Sequence, residues 1–268
     1  MRRALIGHTG FVGSNLRAQG SYTDLFNSAN FRDLAGQSFD EVTCAGISAV
    51  KWLANKEPEK DWAAIHELLD VLETMRVRRF VLISTIDVYP QPEQPFDESA
   101  NLDGMANHAY GRHRLAVEQW VAERFRERAI VRLPALFGPY LKKNALFDLL
   151  NDNNVRSINP GGCFQWYPVR RLGGDLEIVA RTGIDLVNLF PEPVAMAAII
   201  AEFFPSAAVG PMTTPASVYR LKTRHAKLFG GDDGYVMDAR AVLDAMGAYV
   251  SSARSQAGAN VAGQGSHG

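Results

Sequence analysis

The sequence has few cysteines and no long apolar run. Cys44 and Cys163 are the only cysteines among 268 residues, and their spacing matches no metal site. A chain of this size without a cysteine framework is typical of a reducing compartment. No apolar stretch approaches the ~20 residues that span a bilayer, and residues 2–6 lead into a glycine turn instead of a signal-peptide pattern. We therefore expect a cytoplasmic protein with no bound metal and no membrane contact.

The sequence also lacks an excess of either charge. Its 28 Lys and Arg residues balance 29 Asp and Glu residues, giving a formal net charge of −1. Without a basic run or face, nucleic acids and anionic membranes are not expected partners. A hydrophobic share of 47% fits a globular chain that buries one large core, or one core with a small annex. Residues 251–268 are rich in Ser, Gly, Ala and Gln, which predicts a flexible tail.

A glycine turn between a short strand and a helix opens the chain. A short strand over residues 2–6, with the apolar residues Ala4, Leu5 and Ile6, ends at Gly7, and an amphipathic run follows to about residue 20. Such a turn directs backbone N–H groups and the helix dipole at one point, and glycine leaves room for a pyrophosphate. Glycines at this spacing also occur by chance, so an ordinary strand–turn–helix is the alternative. The predicted dinucleotide loop consists of Gly7, Thr9, Gly10, Phe11, Val12 and Gly13.

Asn27 and Ser28 follow the second predicted strand, where this type of fold often places an acid to hold the adenosine ribose. An acid would repel a 2′-phosphate, whereas Asn27, Ser28 and the nearby Arg32 would not. The position therefore favours NADP over NAD, although asparagine also holds a bare ribose hydroxyl. Ordinary turn chemistry is the alternative explanation for these residues.

Strand and helix patterns alternate over the first half of the chain. This alternation predicts an α/β fold with a doubly wound parallel sheet of the Rossmann type and right-handed crossovers. Strand 41–46 ends in the small residues Ala45 and Gly46, which would let a cofactor lie against the strand end. The remaining predicted strands are 2–6, 25–26, 79–85 and 129–134, and the helices between them are 11–20, 58–75 and a helix that begins at Tyr110.

The pattern loosens beyond Pro139, which predicts a small C-terminal substrate annex. We expect residues 1–140 to form the dinucleotide-binding core and residues 186–204 to complete it, with a helix beginning at Pro193. Segments 141–185 and 205–250 are assigned to the annex.

Three motifs together resemble the extended short-chain dehydrogenase/reductase family. They are the glycine turn, Ser84-Thr85-x-x-Val88-Tyr89, and Tyr110 at the head of a helix. The resemblance covers roughly residues 1–205 and is greatest to NAD-dependent epimerases and dehydratases and to nucleotide-sugar reductases such as GDP-fucose synthase. Two junction motifs add to it, Arg132-Leu133-Pro134-x-x-Phe137-Gly138-Pro139 and Asn188-Leu189-Phe190-Pro191-Glu192-Pro193-Val194.

The resemblance implies hydride transfer with NAD or NADP, assisted by Tyr110 as acid and base. It also implies that the Thr85 hydroxyl positions the reacting oxygen and that Pro134 lines the cofactor site. A free phenol has a pKa near ~10, so a base at neutral pH needs a nearby cation to lower that pKa.

Arg114 stands where the family has a lysine, one helical turn after Tyr110. Arginine keeps the charge, but its planar fork differs from a compact ammonium. It either positions the cofactor and tunes Tyr110 or does so poorly.

The sequence thus leaves three functional hypotheses. The first is an NAD(P)-dependent epimerase, dehydratase or reductase acting on a nucleotide-sugar-like substrate. The second, prompted by Arg114, is an NAD(P)-binding sensor or scaffold with little or no turnover. The third is an oxidoreductase for a non-sugar alcohol or ketone. Family members commonly form homodimers through helices that match 58–75 and the Tyr110 helix, where Trp62 and Trp120 lie at an interface or in the core.

Other candidates carry two interpretations each. Lys51 could contact a phosphate or substrate, or be solvated. Asp87 could be a second acid, or a turn residue. The aromatic run Phe164–Tyr167 could line a pocket or pack in the core. Arg170 and Arg171 could bind a diphosphate, although a solvated face is favoured. His113 is expected at the surface.

Overall fold

A six-stranded parallel sheet lies at the centre of the molecule. The computed structural model describes residues 1–264, with side chains to residue 256. The strand order is β2-β1-β3-β4-β5-β8, and every pairing is parallel. This order confirms the predicted doubly wound Rossmann-type sheet. Its strands are Arg3–Ile6 (β1), Asp24–Phe26 (β2), Ser38–Cys44 (β3), Arg76–Thr85 (β4), Arg128–Leu133 (β5) and Leu186–Asn188 (β8).

Helices cover both faces of this sheet, so alternate strand residues enter different cores. In β1, Ala4 and Ile6 pack with the helices of one face and Leu5 packs with those of the other. Burial on both sides explains why consecutive residues of β4 and β5 are apolar, as at 80–83 and 129–131. The helices that cover the sheet are Phe11–Gln19 (α1), Lys51–Lys56 (α2), Pro58–Glu73 (α3), Ala109–Arg124 (α4) and Leu172–Thr182 (α6).

A second, three-stranded sheet forms the smaller part of the molecule. Strand β7 pairs in parallel with β6 and antiparallel with β9. A separate apolar core lies between this sheet and three helices, with Leu146, Trp166, Ile199 and Met246 at its centre. The elements of this part are Ala135–Phe137 (β6), Ala145–Asn151 (α5), Cys163–Pro168 (β7), Pro193–Ala195 (β9), Met196–Phe203 (α7) and Ala239–Gln264 (α8).

The structure corrects the predicted division of the chain. Helix α6, which we assigned to the annex, packs on the main sheet, where Leu172 and Val179 contact the core beside α1. Strand β8 completes the sheet as expected, but β9 and α7, within 186–204, belong to the smaller core. Pro193 begins a strand that pairs with β7, and the helix starts three residues later. Proline fits this edge position because it lacks a ladder donor.

Two helices differ from the sequence prediction. The sequence predicts no helix between strand 41–46 and helix 58–75, but Lys51 begins the short helix α2 there. Helix α8 continues to Gln264, whereas a flexible tail was expected from residue 251. This segment has no proline and is rich in alanine, the strongest helix former, so it extends the helix without a large apolar face. The last four residues of that predicted tail, 265–268, lie outside the described residues.

None of the described helices is both long and apolar enough to cross a membrane.

Candidate functional site

The predicted site residues collect at the carboxyl edge of the main sheet. The register aligns Ile6 with Phe26 and with Cys44, so the segments after β1, β2 and β3 lie side by side. Thr85 at the end of β4 pairs with Leu133 at the end of β5. Ligands bind at this edge in open α/β sheets. The structure therefore brings the glycine turn, Asn27, Ala45, Gly46, Thr85 and Pro134 to one edge.

The glycine turn is closely packed against its neighbours. Gly7 has φ +83°, and a Cβ on it would overlap the backbone of Ala45. A Cβ on Gly13 would overlap the carbonyl oxygen of Gly7, whereas one on Gly10 would lie 3.4 Å from that oxygen. Gly10 caps α1 without a side-chain hydrogen bond, so the first-turn N–H groups of Phe11, Val12 and Gly13 stay available to an anion. This cradle fits a pyrophosphate.

Asn27 lies beside the glycine turn, and its side chain is held in place. Its Nδ2 is 3.3 Å from Nε2 of His8, and its Oδ1 accepts a hydrogen bond from the N–H of Ala29. Ser28 is exposed next to it. Arg32 forms an exposed ion pair with Glu67, with 2.7 Å between Nη2 and Oε2. The neighbourhood of Asn27 thus has no acid at the end of β2, but its nearest arginine already has a carboxylate partner.

Tyr110 and Thr85 meet near the end of β4. Tyr110 is buried in the first turn of α4, and its backbone N–H donates to Oδ1 of Asn55 at 2.9 Å. Burial raises the pKa of the Tyr110 phenol, while the charge of Arg114 and the nearby Thr85 side chain lower it; the net direction is upward. A base at neutral pH needs this pKa to be lowered, so the side chains around Tyr110 do not by themselves prepare it for that role.

The charge of Arg114 lowers the pKa of Tyr110 by less than burial raises it, and its guanidinium forms its hydrogen bonds with other groups. It lies over the ring of Tyr110, 4.0 Å from the centroid. Its two terminal nitrogens bind the carboxylate of Asp61 on α3, and Nη2 also donates to the carbonyl oxygen of Ser48. Arg114 is 4% exposed and Asp61 is 8% exposed at the side chain. Within the described residues, no hydrogen bond joins Arg114 to the Tyr110 hydroxyl.

His113 is mostly buried, although the sequence predicts a surface position for it. Its side chain is 14% exposed, and Nδ1 lies 2.8 Å from Oδ2 of Asp61. Burial raises the pKa of the Asp61 carboxyl. The hydrogen bonds and charges of Arg114 and His113 together lower that pKa by more, so its net direction is downward. His113 and Arg114, consecutive residues of α4, thus both contact the carboxylate of Asp61 on the neighbouring helix α3. The sequence holds no signal for this pairing.

A second set of polar groups surrounds Asp87, in the short helical turn after β4. Nζ of Lys51 lies 2.6 Å from Oδ1 of Asp87. The Asp87 N–H donates to Oγ1 of Thr85 at 3.2 Å. Nε2 of His108, the residue that caps α4, is 4.0 Å from Oδ1 of Asp87. Asp87 is therefore a turn residue that also connects α2, β4 and α4, and Lys51 is paired rather than free in solvent.

The smaller part of the molecule contributes Tyr219 to this region. Burial and then the charge of Asp87 raise the pKa of Tyr219 to about 12. The ring of Tyr219 lies 5.5 Å from that of Phe164 on β7. Sequence reasoning missed Tyr219, because residues 205–250 have no periodic pattern that would place it.

The aromatic run on β7 is divided between two roles. Trp166 and Tyr167 are buried in the two cores, which supports the packing interpretation for them. Phe164 lines a cavity of about 370 Å³ in the smaller part, between α5, β7 and the start of α7.

Arg170 is exposed, and Arg171 binds Asp175 and the carbonyl oxygen of Phe229. The described residues contain no cluster of three or more His, Cys, Asp or Glu side chains suited to a metal ion.

A buried polar network lies beneath the site. Glu118 binds Arg132 through both carboxylate oxygens and accepts a hydrogen bond from Ser84 at 2.5 Å. Arg132 also donates to the hydroxyl of Tyr89 at 2.7 Å, as does Nδ2 of Asn188 at 2.8 Å. These bonds fix the ends of β4, β5 and β8 against α4. The family motifs include Ser84, Tyr89, Arg132 and Asn188, but none of these motifs contains Glu118.

With the fold and this edge described, comparison with known proteins identifies the family. The model of the NAD dependent epimerase/dehydratase family matches residues 17–156, slightly more than half of the chain. This chain belongs to the NAD-dependent epimerase/dehydratase family. The matched segment includes Thr85, Tyr110, Arg114 and Pro134, but it begins inside α1, after the glycine turn. In this family member, the geometry of the glycine turn is therefore what indicates that it binds a dinucleotide.

Solved structures share the fold of this family member over nearly its whole length. The NAD-dependent NDP-hexosamine 5,6-dehydratase TunA, involved in tunicamycin biosynthesis, has 17% sequence identity and a TM-score of 0.74, covering 94% of this chain and 97% of TunA. MoeE5 in complex with UDP-glucose and NAD has 15% identity and a TM-score of 0.73, with coverages of 96% and 99%.

A UDP-glucose 4-epimerase from Thermotoga maritima, with UDP-glucose, has 14% identity and a TM-score of 0.71, with coverages of 96% and 99%. At these identities the likeness is one of fold. No curated protein sequence matches the chain.

Proposed function

We propose that this protein is an NAD(P)-dependent epimerase, dehydratase or reductase acting on a nucleotide-sugar-like substrate, with Tyr110 as acid and base. The observation that carries the proposal is the position of Thr85 and Tyr110 at the sheet edge that also holds the glycine cradle. Family membership supports it, as do structural neighbours whose names specify nucleotide sugars.

The residues present fit a dinucleotide. The first-turn N–H groups of α1 would hold the pyrophosphate, Asn27 and Ser28 the adenosine ribose, and Ala45, Gly46 and Pro134 the apolar side of the cofactor. A bound nicotinamide dinucleotide would supply the acceptor and donor of hydride. Within this chain, the Thr85 hydroxyl would orient the reacting oxygen and the Tyr110 hydroxyl would exchange a proton with it.

The pKa of Tyr110 decides whether its hydroxyl more easily donates or accepts a proton. Because its pKa is raised, the phenol is protonated at neutral pH and is ready to donate. To act as a base, it needs further positive charge near its oxygen, of the kind a cation or the oxidised cofactor supplies.

Tyr110→Phe tests the catalytic role. We expect the purified protein to bind NAD(H) or NADP(H) and to change the redox state of the cofactor with at least one of a panel of UDP-, dTDP- and GDP-sugars. Tyr110→Phe should then lower turnover by roughly 10²- to 10⁴-fold with little change in cofactor affinity. Tyr249→Phe, on the distant helix α8, is the control. Unchanged turnover in Tyr110→Phe would remove that residue from the role.

An NAD(P)-binding sensor without turnover is the second candidate. The observation that favours it is the pairing of Arg114 with Asp61, which directs the hydrogen bonds of the guanidinium to a carboxylate and not to the Tyr110 hydroxyl. If the parent and Arg114→Lys proteins both bind cofactor tightly, and neither shows redox chemistry with sugar nucleotides or with simple alcohols and ketones, the sensor is the better account. Turnover of only simple alcohols or ketones would indicate a non-sugar oxidoreductase.

For the cofactor, we propose a preference for NADP. The absence of an acid among Asn27, Ser28 and their described neighbours at the end of β2 supports it, and the pairing of Arg32 with Glu67 weakens it. Calorimetric titration with both cofactors tests the preference. A lower dissociation constant for NAD would overturn it.

We also propose that two copies of the chain pair through α3 and α4. In the single chain, Trp62 and Trp120 are only partly buried against the core. Sedimentation velocity tests the pairing, with a concentration-independent monomer as the contrary result.

A further inference from the structure

Among the described residues, Arg114 lowers the pKa of the Tyr110 phenol through its charge but forms no hydrogen bond with the hydroxyl, and the net pKa stays raised. In the buried pair with Asp61, both terminal nitrogens of Arg114 are already used, and its guanidinium is stacked on the Tyr110 ring instead of approaching the hydroxyl. His108 does not add positive charge here, because burial and the charge of Lys51 lower the pKa of His108. Further positive charge for this site must therefore come from another element.

Lys51 is the lysine that reaches the site. It is the first residue of α2, and its ammonium lies 2.6 Å from Oδ1 of Asp87. The other carboxylate oxygen, Oδ2, is 3.4 Å from the hydroxyl of Thr85. Asn55, one turn later on the same helix, accepts a hydrogen bond from the backbone N–H of Tyr110. Helix α2 thus contacts Tyr110 at the backbone and reaches Thr85 through Asp87.

The carboxylate of Asp87 would oppose ionisation of Tyr110 if nothing neutralised it. Its negative charge contributes to the raised pKa of the Tyr110 phenol and to that of Tyr219. An ammonium in contact with Asp87 offsets part of that field, because opposite charges at this distance act as a dipole on groups farther away. The Lys51 ammonium also occupies Oδ1 of Asp87. The Thr85 hydroxyl then has the long, weak contact with Oδ2 and stays available to a substrate oxygen.

We propose that Lys51 is a positioning residue that offsets the negative charge of Asp87 beside the Thr85–Tyr110 site, in addition to the effect of Arg114. The proposal rests on the function proposed above. The ordinary alternative is a partly exposed ion pair, since the Lys51 side chain is 42% exposed, and such pairs contribute ~0–1 kcal/mol to stability.

Titration of Tyr110 separates these alternatives without requiring a known substrate. The groups that face Asp87 are Lys51 from α2, Thr85 from β4, His108 and Tyr110 from α4, and Tyr219 from the smaller part of the molecule. With ring-labelled tyrosine and histidine, NMR follows Tyr110 and His108 as pH changes. The Tyr110→Phe and His108→Gln proteins assign their resonances.

We expect Lys51→Gln to raise the pKa of Tyr110 and that of His108 by about 1 unit each, because Asp87 then acts on both without compensation. Lys51→Arg keeps a positive charge and should restore parental titration. Lys56→Gln, at the exposed end of α2, is the matched control and should titrate like the parent. Unfolding in urea checks that all three variants are folded.

Turnover gives a second readout. If the parent protein converts a substrate, Lys51→Gln should lower kcat about tenfold with little change in KM and move the alkaline limit of activity upward by about 1 unit. Titration of Tyr110 in Lys51→Gln identical to that in Lys56→Gln would overturn the proposal, whatever the activity. A shifted Tyr110 titration in a protein that turns over no substrate would support the role of Lys51 and contradict the proposed function alone.

Discussion

Arg114 binds Asp61 across the interface of α4 and α3, with Nη2 of the arginine 3.0 Å from Oδ1 of the aspartate. Both side chains are nearly fully buried. A buried guanidinium that loses its carboxylate leaves an uncompensated charge, so the pair holds the two helices in register once formed. The arginine that stands at the family's lysine position therefore stabilises helix packing, and its planar fork suits this task better than an ammonium would.

Asp61→Asn should destabilise the fold. Breaking a buried pair typically costs about 3–5 kcal/mol, and His113 loses its partner as well. Because the folded-state pKa of Asp61 is lowered, the stability it contributes is present above its unfolded pKa, near ~4, and is lost as pH falls. Urea unfolding of parent and variant at pH 7 and pH 3 measures this. Asp70→Asn, on the exposed side of α3, is the control, and a cost as small as the control's would contradict the role.

How much the sequence could predict depends on the range of each interaction. The glycine turn, the hydroxyl end of β4 and the helix beginning at Tyr110 were all predictable, because local sequence sets each of them. The parallel sheet was predictable because apolar strands alternated with helices, and the structure confirms it. The pairing of Arg114 with Asp61 was not, since 53 positions separate them and neither residue signals its partner.

Other features depended on contacts that sequence patterns do not record. Helix α2 spans six residues, too few for a periodic signal, so the sequence left open whether Lys51 contacts a phosphate or substrate or is solvated. Pro193 looked like the start of a helix, but its neighbours pair with β7. Tyr219 reaches the vicinity of Asp87 because its segment lies beside Cys163 on β7, a tertiary placement that the irregular sequence around it does not encode.

Gly13→Ala should damage the dinucleotide cradle more than Gly10→Ala. A methyl group on Gly13 would overlap the carbonyl oxygen of Gly7, and backbone atoms there cannot move aside without opening the turn, whereas Gly10 has ordinary space. We expect Gly13→Ala to lose at least tenfold in cofactor affinity and about 2 kcal/mol or more in stability. Gly10→Ala should change stability by less than about 1 kcal/mol. Calorimetric titration and urea unfolding of both proteins measure the difference, and equal effects would contradict it.

Asn27→Asp should change cofactor preference. A carboxylate in the same place would repel a 2′-phosphate and accept hydrogen bonds from the bare ribose of NAD. A cost of about 1–2 kcal/mol, as expected for like charges near a surface, corresponds to roughly five- to thirtyfold weaker NADP binding. NAD binding should be unchanged or tighter. Dissociation constants for both cofactors measure this at fixed ionic strength, because salt screens the effect. An equal loss for both cofactors would show that Asn27 matters for the turn alone.

Tyr89→Phe tests the network beneath the site. The Tyr89 hydroxyl accepts from Arg132 and Asn188 and donates to the carbonyl oxygen of Asp97. Removing it leaves buried donors without a partner, at a cost of about 1–3 kcal/mol.

The pH dependence of this cost distinguishes the network from packing. Burial raises the pKa of Tyr89 to about 12, so the protonated phenol is favoured in the folded state. Its stabilising contribution is complete below the unfolded pKa, near ~10, and is lost as pH rises through about 12. The parent should therefore lose stability more steeply than Tyr89→Phe between pH 9.5 and 11 in urea unfolding, and Tyr249→Phe is the control for general alkaline effects. Parallel curves for parent and Tyr89→Phe would show that the hydroxyl does not stabilise the fold through its protonated form.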